Sequence, residues 1–374
     1  MNDPLGGLGA PEERPPAVRS MRVDLPPRPA PTSTVLLLAL LAVPFLAELW
    51  LDWSGKGTDS MMLLRLGALF GPAVADGDWW RLGSYAFLHI GPIHFAMNAW
   101  ALWVLMREIE WTYGALTAIG IFAASALAGG ALSAAARIHN GDYSLVAGAS
   151  GGIFGLMGAS GALLFRLRDL VPPDARRMLW RSFFFNLLIN AGIALYAQVD
   201  SYAHAGGFLC GGLLALIAPL PISGKRPWHL PIQLALLSAA LLLAAAEGAA
   251  VARAVNPRTR LLEGKGVEAR VPWMLAPVHE GVARTPNGLG LGAGIFAELE
   301  PPQTSAARKV QIGERSWLLR QAHSEEKGCG EETSLVTDDG EGLGVQMCCL
   351  ARWCEGPGGE RIAEQIASTL HLTR

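Results

Sequence analysis

Seven stretches of this chain are apolar over about the length a helix needs to cross a bilayer, and nothing else in it limits the fold as strongly. They lie at about 33–53, 91–107, 113–136, 147–166, 178–197, 203–221 and 231–252. Each is near the ~17–25 residues that ~30 Å of hydrocarbon requires. Inside lipid every backbone N–H and C=O must be paired within the protein, which leaves helices as the structure for such segments. Composition agrees: 51% of residues are hydrophobic and 17% charged, where a soluble domain is about a quarter charged. The class expected is an all-α polytopic membrane protein with soluble tails.

The remaining segments divide the chain. Residues 1–32, rich in Pro, Arg and Glu, read as a disordered cytoplasmic tail. The first apolar stretch is long for a signal peptide, no clear small-residue cleavage site follows it, and further spans lie downstream, so it reads as a retained helix. A long loop at about 54–90, apolar around 61–70, reads as lying in the membrane interface. With the N-terminus inside, the inner segments carry twelve Lys and Arg and the outer loops four, so the positive-inside rule sets that orientation. Seven spans then place 256–374 outside. Cys329, Cys348, Cys349 and Cys354 all fall in that segment, as disulfides in an oxidising compartment would. They form no C-x-x-C pair, so a zinc site is the weaker reading. Strand-like pieces at 316–322 and 344–353, followed by Ile362, Ile366 and Leu370 at i, i+4, i+8, suggest a small α+β domain. The net charge of −2 and the absence of a basic run give no argument for nucleic acid.

Polar side chains within apolar spans are costly, so each asks for a role. His94 and Asn98 sit at i, i+4 near the start of the second span, Ser150 near the start of the fourth, and His204 near the start of the sixth. Even-numbered spans all run from outside to inside, so the four share one side and a similar depth. Taken singly, each has an ordinary structural explanation as an interhelical hydrogen bonder. Together they make a nucleophile, a base to take its proton, and donors for the oxyanion of acyl transfer, namely His94, Asn98 and the Ser150 backbone N–H. No acidic residue is evident behind His204; Asp200, four residues earlier, lies in the short outer loop, so a Ser–His dyad is expected. Gly148, Gly151 and Gly152 read as room for a substrate backbone, Gly155 and Gly158 as packing positions, and Gly207 with Gly211 as a small-xxx-small pair. Asn186 and Asn190 read as interhelical hydrogen bonders, and Glu247 as turned to a cavity or to the interface. The string Gly148-x-Ser150-x-Gly152 also fits the elbow of soluble α/β-hydrolases, but that elbow needs a strand before the serine.

At these residues the chain resembles the rhomboid family of intramembrane serine proteases. The family's G-x-S-G motif is matched by Gly148-Ala149-Ser150-Gly151, its H-x-x-x-N element by His94 and Asn98, and its histidine with a following glycine pair by His204, Gly207 and Gly211. The Trp-Arg pair of its first loop is matched by Trp80-Arg81, and His89 also stands where members often carry histidine. The resemblance implies Ser150 as nucleophile, His204 as general base and then acid, and His94 and Asn98 at the oxyanion. Phe154 falls where members place an aromatic ring, often Tyr, against the histidine. It implies a six-helix protease core at 33–221, and a loop and seventh transmembrane helix at 222–252 are like the arrangement of many members; the extracytoplasmic α+β domain at 256–374 rests on the residues alone, with no resemblance beyond 256. It also implies transmembrane-protein substrates cut in or near the bilayer without metal or cofactor, and a bacterial plasma membrane as the setting. Two other classes fit parts of this pattern. An inactive relative that binds membrane clients need not keep Ser150 and His204 together, and a transporter would show an inverted repeat that is not apparent here.

Overall fold

The computed structural model describes residues 30–51, 60–142, 144–196, 199–220, 228–255, 259–264, 267–272, 276–279, 282–284, 291–296, 307–324, 329–338, 343–349 and 357–372. The expected N-terminal tail lies outside the described residues, apart from its last three positions. From Pro31 onward the chain forms one compact unit.

Helices occupy all seven apolar stretches. α1 is Thr32–Leu51, and the loop after it holds three short helices, α2 (Ser60–Leu66), α3 (Gly71–Ala75) and α4 (Arg81–Ser84), then a 3-10 turn at Tyr85–Phe87. α5 (Gly91–Tyr113), α6 (Ala115–Asn140), α7 (Ser150–Arg166), α8 (Pro173–Tyr196), α9 (Ser201–Ile217) and α10 (His229–Val255) complete the helical part. Three of them, α1, α6 and α10, are long and apolar enough to cross a membrane on length and composition. The others are shorter or more polar: α7 and α9 have 17 residues each, α5 carries His94, Asn98 and charged residues after Met106, and α8 carries Arg181, Asn186 and Asn190.

α6 is the central post. More than half of its apolar window is buried, against 33% for α1 and 22% for α10, and its small residues allow this. A Cβ on Gly120 would lie 2.4 Å from Leu236 of α10, and one on Gly130 2.3 Å from the Leu82 carbonyl. Around it Leu41, Leu102, Met106, Phe122, Ile153 and Leu156 share one apolar cluster. Charged groups near helix ends serve as caps. Glu110 of α5 accepts from the Ser33 N–H at 3.1 Å and the Thr34 hydroxyl at 2.7 Å, meeting unpaired groups at the start of α1. Arg166 donates to the carbonyls of Ala215 and Ala218 at 2.7 Å, doing the same for the end of α9. α8 stands apart, with Phe185 and Leu188 well exposed, as a lipid-facing helix would be. Asn186 and Asn190 do not bridge helices as expected. Each donates to its own helix, to the Ser182 and Asn186 carbonyls at 2.9 and 2.8 Å, in an exposed setting.

The C-terminal segment is built on sheets. Strands β1 (Thr259–Gly264) and β2 (Val267–Pro272) form a hairpin. β3 (Ala276–His279), β4 (Val282–Arg284), β5 (Leu291–Phe296), β6 (Arg308–Ile312), β7 (Arg315–Ser324), β8 (Cys329–Thr337) and β9 (Gly344–Cys349) make a second sheet in the order β3-β4-β5-β9-β8-β7-β6. Every pairing is antiparallel. Helix α11 (Pro357–Ala367) follows, and β10 (His371–Leu372) closes back on β2. Val267, Ala269 and Val271 alternate into the core, as the period of a half-buried strand requires. Ile366 of α11 and Leu370 beyond it are buried on the predicted face. Cys348 is disulfide-bonded, and Cys210 in α9 is a free thiol.

The loop between α1 and α5 departs from the expectation of an interfacial segment. Leu64, Phe70 and Ala73 are buried in the same apolar cluster as the sheet residues Val267 and Trp317, so protein rather than lipid covers them.

Candidate active site

Ser150 is the first residue of α7. Its backbone N–H therefore has no intrahelical acceptor and points out of the positive end of the helix. The chain reaches it through Gly148, whose φ of +139° is a conformation that residues with a Cβ rarely adopt. Gly148 also abuts the second span: a Cβ there would lie 2.8 Å from His94 Cε1, 3.0 Å from His94 Nε2 and 3.6 Å from Asn98 Nδ2. The Gly148 N–H donates to the Tyr85 carbonyl at 2.9 Å.

His204 lies in the first turn of α9, and its Nε2 is 2.9 Å from Ser150 Oγ. Phe154, one turn along α7, stacks on the imidazole with centroids 4.0 Å apart and planes 10° from parallel. Asp200 does not contact the ring. It caps α9, with Oδ1 accepting from the Tyr202 and Ala203 N–H groups at 3.0 Å. Its Oδ2 takes Arg137 Nη2 at 3.2 Å and the Ser133 hydroxyl, both from α6. Both carboxylate oxygens are thus occupied, and His204 Nδ1 is buried with no protein partner. In the loop after α6, burial disfavours the ionised form of Asp142. Bonds from the Ser144 N–H and hydroxyl, with Arg137 nearby, outweigh this and hold the carboxyl below its usual range.

His94 sits in the first turn of α5, where its Nδ1 accepts from the Ile90 N–H at 3.3 Å. That acceptor role assigns the proton to Nε2, the nitrogen beside Gly148. Asn98, one turn on, is buried and its Nδ2 has no protein partner. Three first-turn residues, His94 of α5, Ser150 of α7 and His204 of α9, with Asn98 a turn further along α5, therefore lie around the Gly148 loop. His89 is fully buried, with its ring 5.4 Å from that of His94.

The glycines divide differently from expectation. Gly207 meets the Gly151 carbonyl and Gly211 the Gly155 carbonyl, each 2.0 Å from where a Cβ would be, and Gly158 meets the Phe208 carbonyl at 2.1 Å. Gly151 is also 2.6 Å by the same measure from the Tyr85 hydroxyl, and Gly152 2.5 Å from the Phe122 ring. Gly148 borders His94 and Asn98, whereas Gly151 and Gly152 are close-approach positions, Gly151 against Tyr85 and Ala203 of α9 and Gly152 against Phe122 of α6.

Sequence reasoning passed over three supports. Asp200 followed by an apolar helix carried a readable N-cap signal. Glu48, an acid inside the first apolar stretch, accepts the His89 N–H at 3.3 Å through both oxygens and was readable by its cost in lipid. Tyr85, which donates to the Ala126 carbonyl at 2.9 Å, carried no signal, being one aromatic in an apolar loop.

Residues 76–220 match the family model of the Rhomboid domain. The chain is 35% identical over 226 residues to the Rhomboid protease GluP of Bacillus subtilis (strain 168), covering 58% of this chain and 40% of that protein. It is 35% identical over 162 residues to RHOMBOID-like protein 6, mitochondrial, of Arabidopsis thaliana, covering 43% and 51%. Against Rhomboid-like protease 1 of Toxoplasma gondii it is 32% identical over 174 residues, covering 45% and 57%. The chain thus spans about half the length of these relatives. The matched region takes in the second-span pair, the serine loop and the histidine helix, with apolar helices on either side. With a Rhomboid domain at residues 76–220 and apolar helices long enough to cross a bilayer, the protein is an integral, multi-pass membrane protein.

Proposed function

We propose that the protein is an intramembrane serine endopeptidase that cleaves transmembrane-protein substrates in or near the bilayer with a Ser150–His204 dyad. The observation that carries this reading is the 2.9 Å approach of His204 Nε2 to Ser150 Oγ between two helices packed glycine to glycine. A serine hydroxyl is a weak nucleophile until a base accepts its proton. His204 takes it as Oγ attacks the scissile carbonyl, then returns it to the leaving amine as the acyl-enzyme forms. Water, deprotonated by the same imidazole, releases the acyl product. The oxyanion meets the Ser150 N–H, the Asn98 amide and His94 Nε2, donors already oriented before reaction. Phe154 holds the ring plane, and Asp200 holds the turn that carries the histidine.

The setting proposed is a bacterial plasma membrane, with the N-terminus cytoplasmic, the six-helix core at 33–221, a seventh crossing in α10 and the sheets outside. The disulfide at Cys348 supports an extracytoplasmic C-terminal segment. Binding and opening a substrate helix at this site favours segments weak in helix propensity, since their backbone must be extended to reach Ser150.

The test is cleavage of a tagged transmembrane substrate by purified protein in liposomes. Wild type is expected to cut, and Ser150→Ala and His204→Ala are expected to leave the substrate intact. Cleavage that survives Ser150→Ala would overturn the assignment, and absence of any turnover by wild type would favour a client-binding relative.

A further inference from the structure

The C-terminal sheets do not close their core alone. Among the described residues, the cluster of Leu262, Val267, Ile366 and Leu370 is completed by Leu64 of α2 and by Phe70 at the start of α3. At the rim, Arg65 Nη2 donates to Gln365 Oε1 of α11 at 2.9 Å. Phe70 is fully buried, which a loop phenylalanine in a helical bundle would not be without this cover.

The loop that receives the sheets is stiff. Buried Arg81 donates Nη1 to the carbonyls of Leu64 and Ala68 at 2.8 Å each and pairs with Asp78 at 3.2 Å, joining α2 to α4. The Ser84 hydroxyl donates to the Gly67 carbonyl at 2.7 Å. The same loop holds the approach to the serine. Leu69 and Val146 exchange both backbone bonds, at 2.9 and 3.0 Å, and Tyr85 accepts from Gly148. Leu69 belongs to the helical core and its neighbour Phe70 to the sheet core, so one short stretch is gripped from both sides. Leu145, beside Val146, packs against the same cluster that joins Leu64 and Phe70 to the sheets.

We propose that the C-terminal segment is a positioning element of the active site: seated on Leu64 and Phe70, it clamps the loop that fixes Val146 and Gly148 and thereby sets Ser150 against His204. The proposal rests on Ser150 being the nucleophile. Contiguous packing makes such coupling possible, and only a change at one end read at the other demonstrates it.

The experiment places a protease site between Val255 and Thr259 of the full chain and follows labelling of Ser150 by a small fluorophosphonate, with substrate cleavage measured in parallel. After cutting, the segment is expected to stay bound through its packing and the labelling rate to hold. Adding Leu64→Asp is expected to release it and slow labelling on the order of tenfold, since a displacement of about 1 Å can cost ~100-fold. In the same variant kcat falls while KM holds, and hydrogen exchange rises at 145–148 but not in α6. Leu64→Met, which keeps the apolar contact, retains both binding and rate. If wild type is not labelled at all, the nucleophile assignment falls and this inference with it. If wild type is labelled but release leaves the labelling rate unchanged, or raises KM alone, the segment only recruits substrate and the inference is wrong by itself. A segment that remains bound in Leu64→Asp would show that this contact does not seat it.

Discussion

Among the described residues the buried Asn98 Nδ2 has no hydrogen-bond partner, an arrangement that costs stability unless something else uses the donor. In a site that develops an oxyanion, that donor is idle in the ground state and engaged at the transition state. Asn98→Ala is therefore expected to lower kcat by about 10²–10³-fold with little change in KM, the loss typical of one oxyanion donor; steady-state kinetics on a transmembrane substrate checks this. Phe154 tests a different function of the same pocket. Its ring lies flat on His204, so Phe154→Tyr should keep activity within about threefold, whereas Phe154→Ala, which frees the imidazole to rotate, should cost at least about tenfold. These residues were legible because serine, histidine and asparagine are conspicuous inside apolar helices. Glu48 and Asp200 were equally visible by type. Their partners, a backbone amide at His89 and an arginine on α6, are set by tertiary approach that spacing does not encode.

At the scale of elements, the joint between α7 and α9 decides whether the dyad exists. Gly207→Val and Gly211→Val put carbon where a carbonyl oxygen already lies 2.0 Å away. Overpacking costs about 1–3 kcal/mol or more, so each is expected to lower the melting temperature and abolish labelling of Ser150 together. Gly248 of α10 is the control: nothing stands within 4 Å of a Cβ there, so Gly248→Ala should be neutral or stabilise by up to about 1 kcal/mol. The cap on α9 separates geometry from charge. Asn caps as well as Asp, so Asp200→Asn should keep the fold, while Asp200→Ala should cost about 0.5–2 kcal/mol; thermal unfolding of both compares them. The helices themselves were readable from apolar length, with ends displaced by a few residues. The glycine assignments were not, because small-residue spacing announces close approach without saying which helix approaches.

For the whole molecule, the membrane part and the sheet-bearing segment share one unit rather than hanging on a tether. Nothing in the chain advertises this. An apolar residue in a loop and an apolar face on a distant helix are each unremarkable, and their pairing across hundreds of positions leaves no periodic signal. The cysteines did carry whole-molecule information, since their grouping in one segment matches the bonded state of Cys348. Intact membranes should therefore yield Cys348 to a thiol reagent only after reduction, while Cys210 needs no reductant once the bilayer is opened by detergent. A free Cys348 in oxidised membranes would reverse the proposed orientation.

Whether Ser150 is a nucleophile activated by His204 is decided by covalent labelling with a fluorophosphonate and mapping of the adduct by mass spectrometry. A single adduct on Ser150 in wild type is predicted, with none in Ser150→Ala and its rate in His204→Ala lower by at least about 10³-fold. An adduct on another serine, or labelling of Ser150 at an undiminished rate without His204, would contradict it.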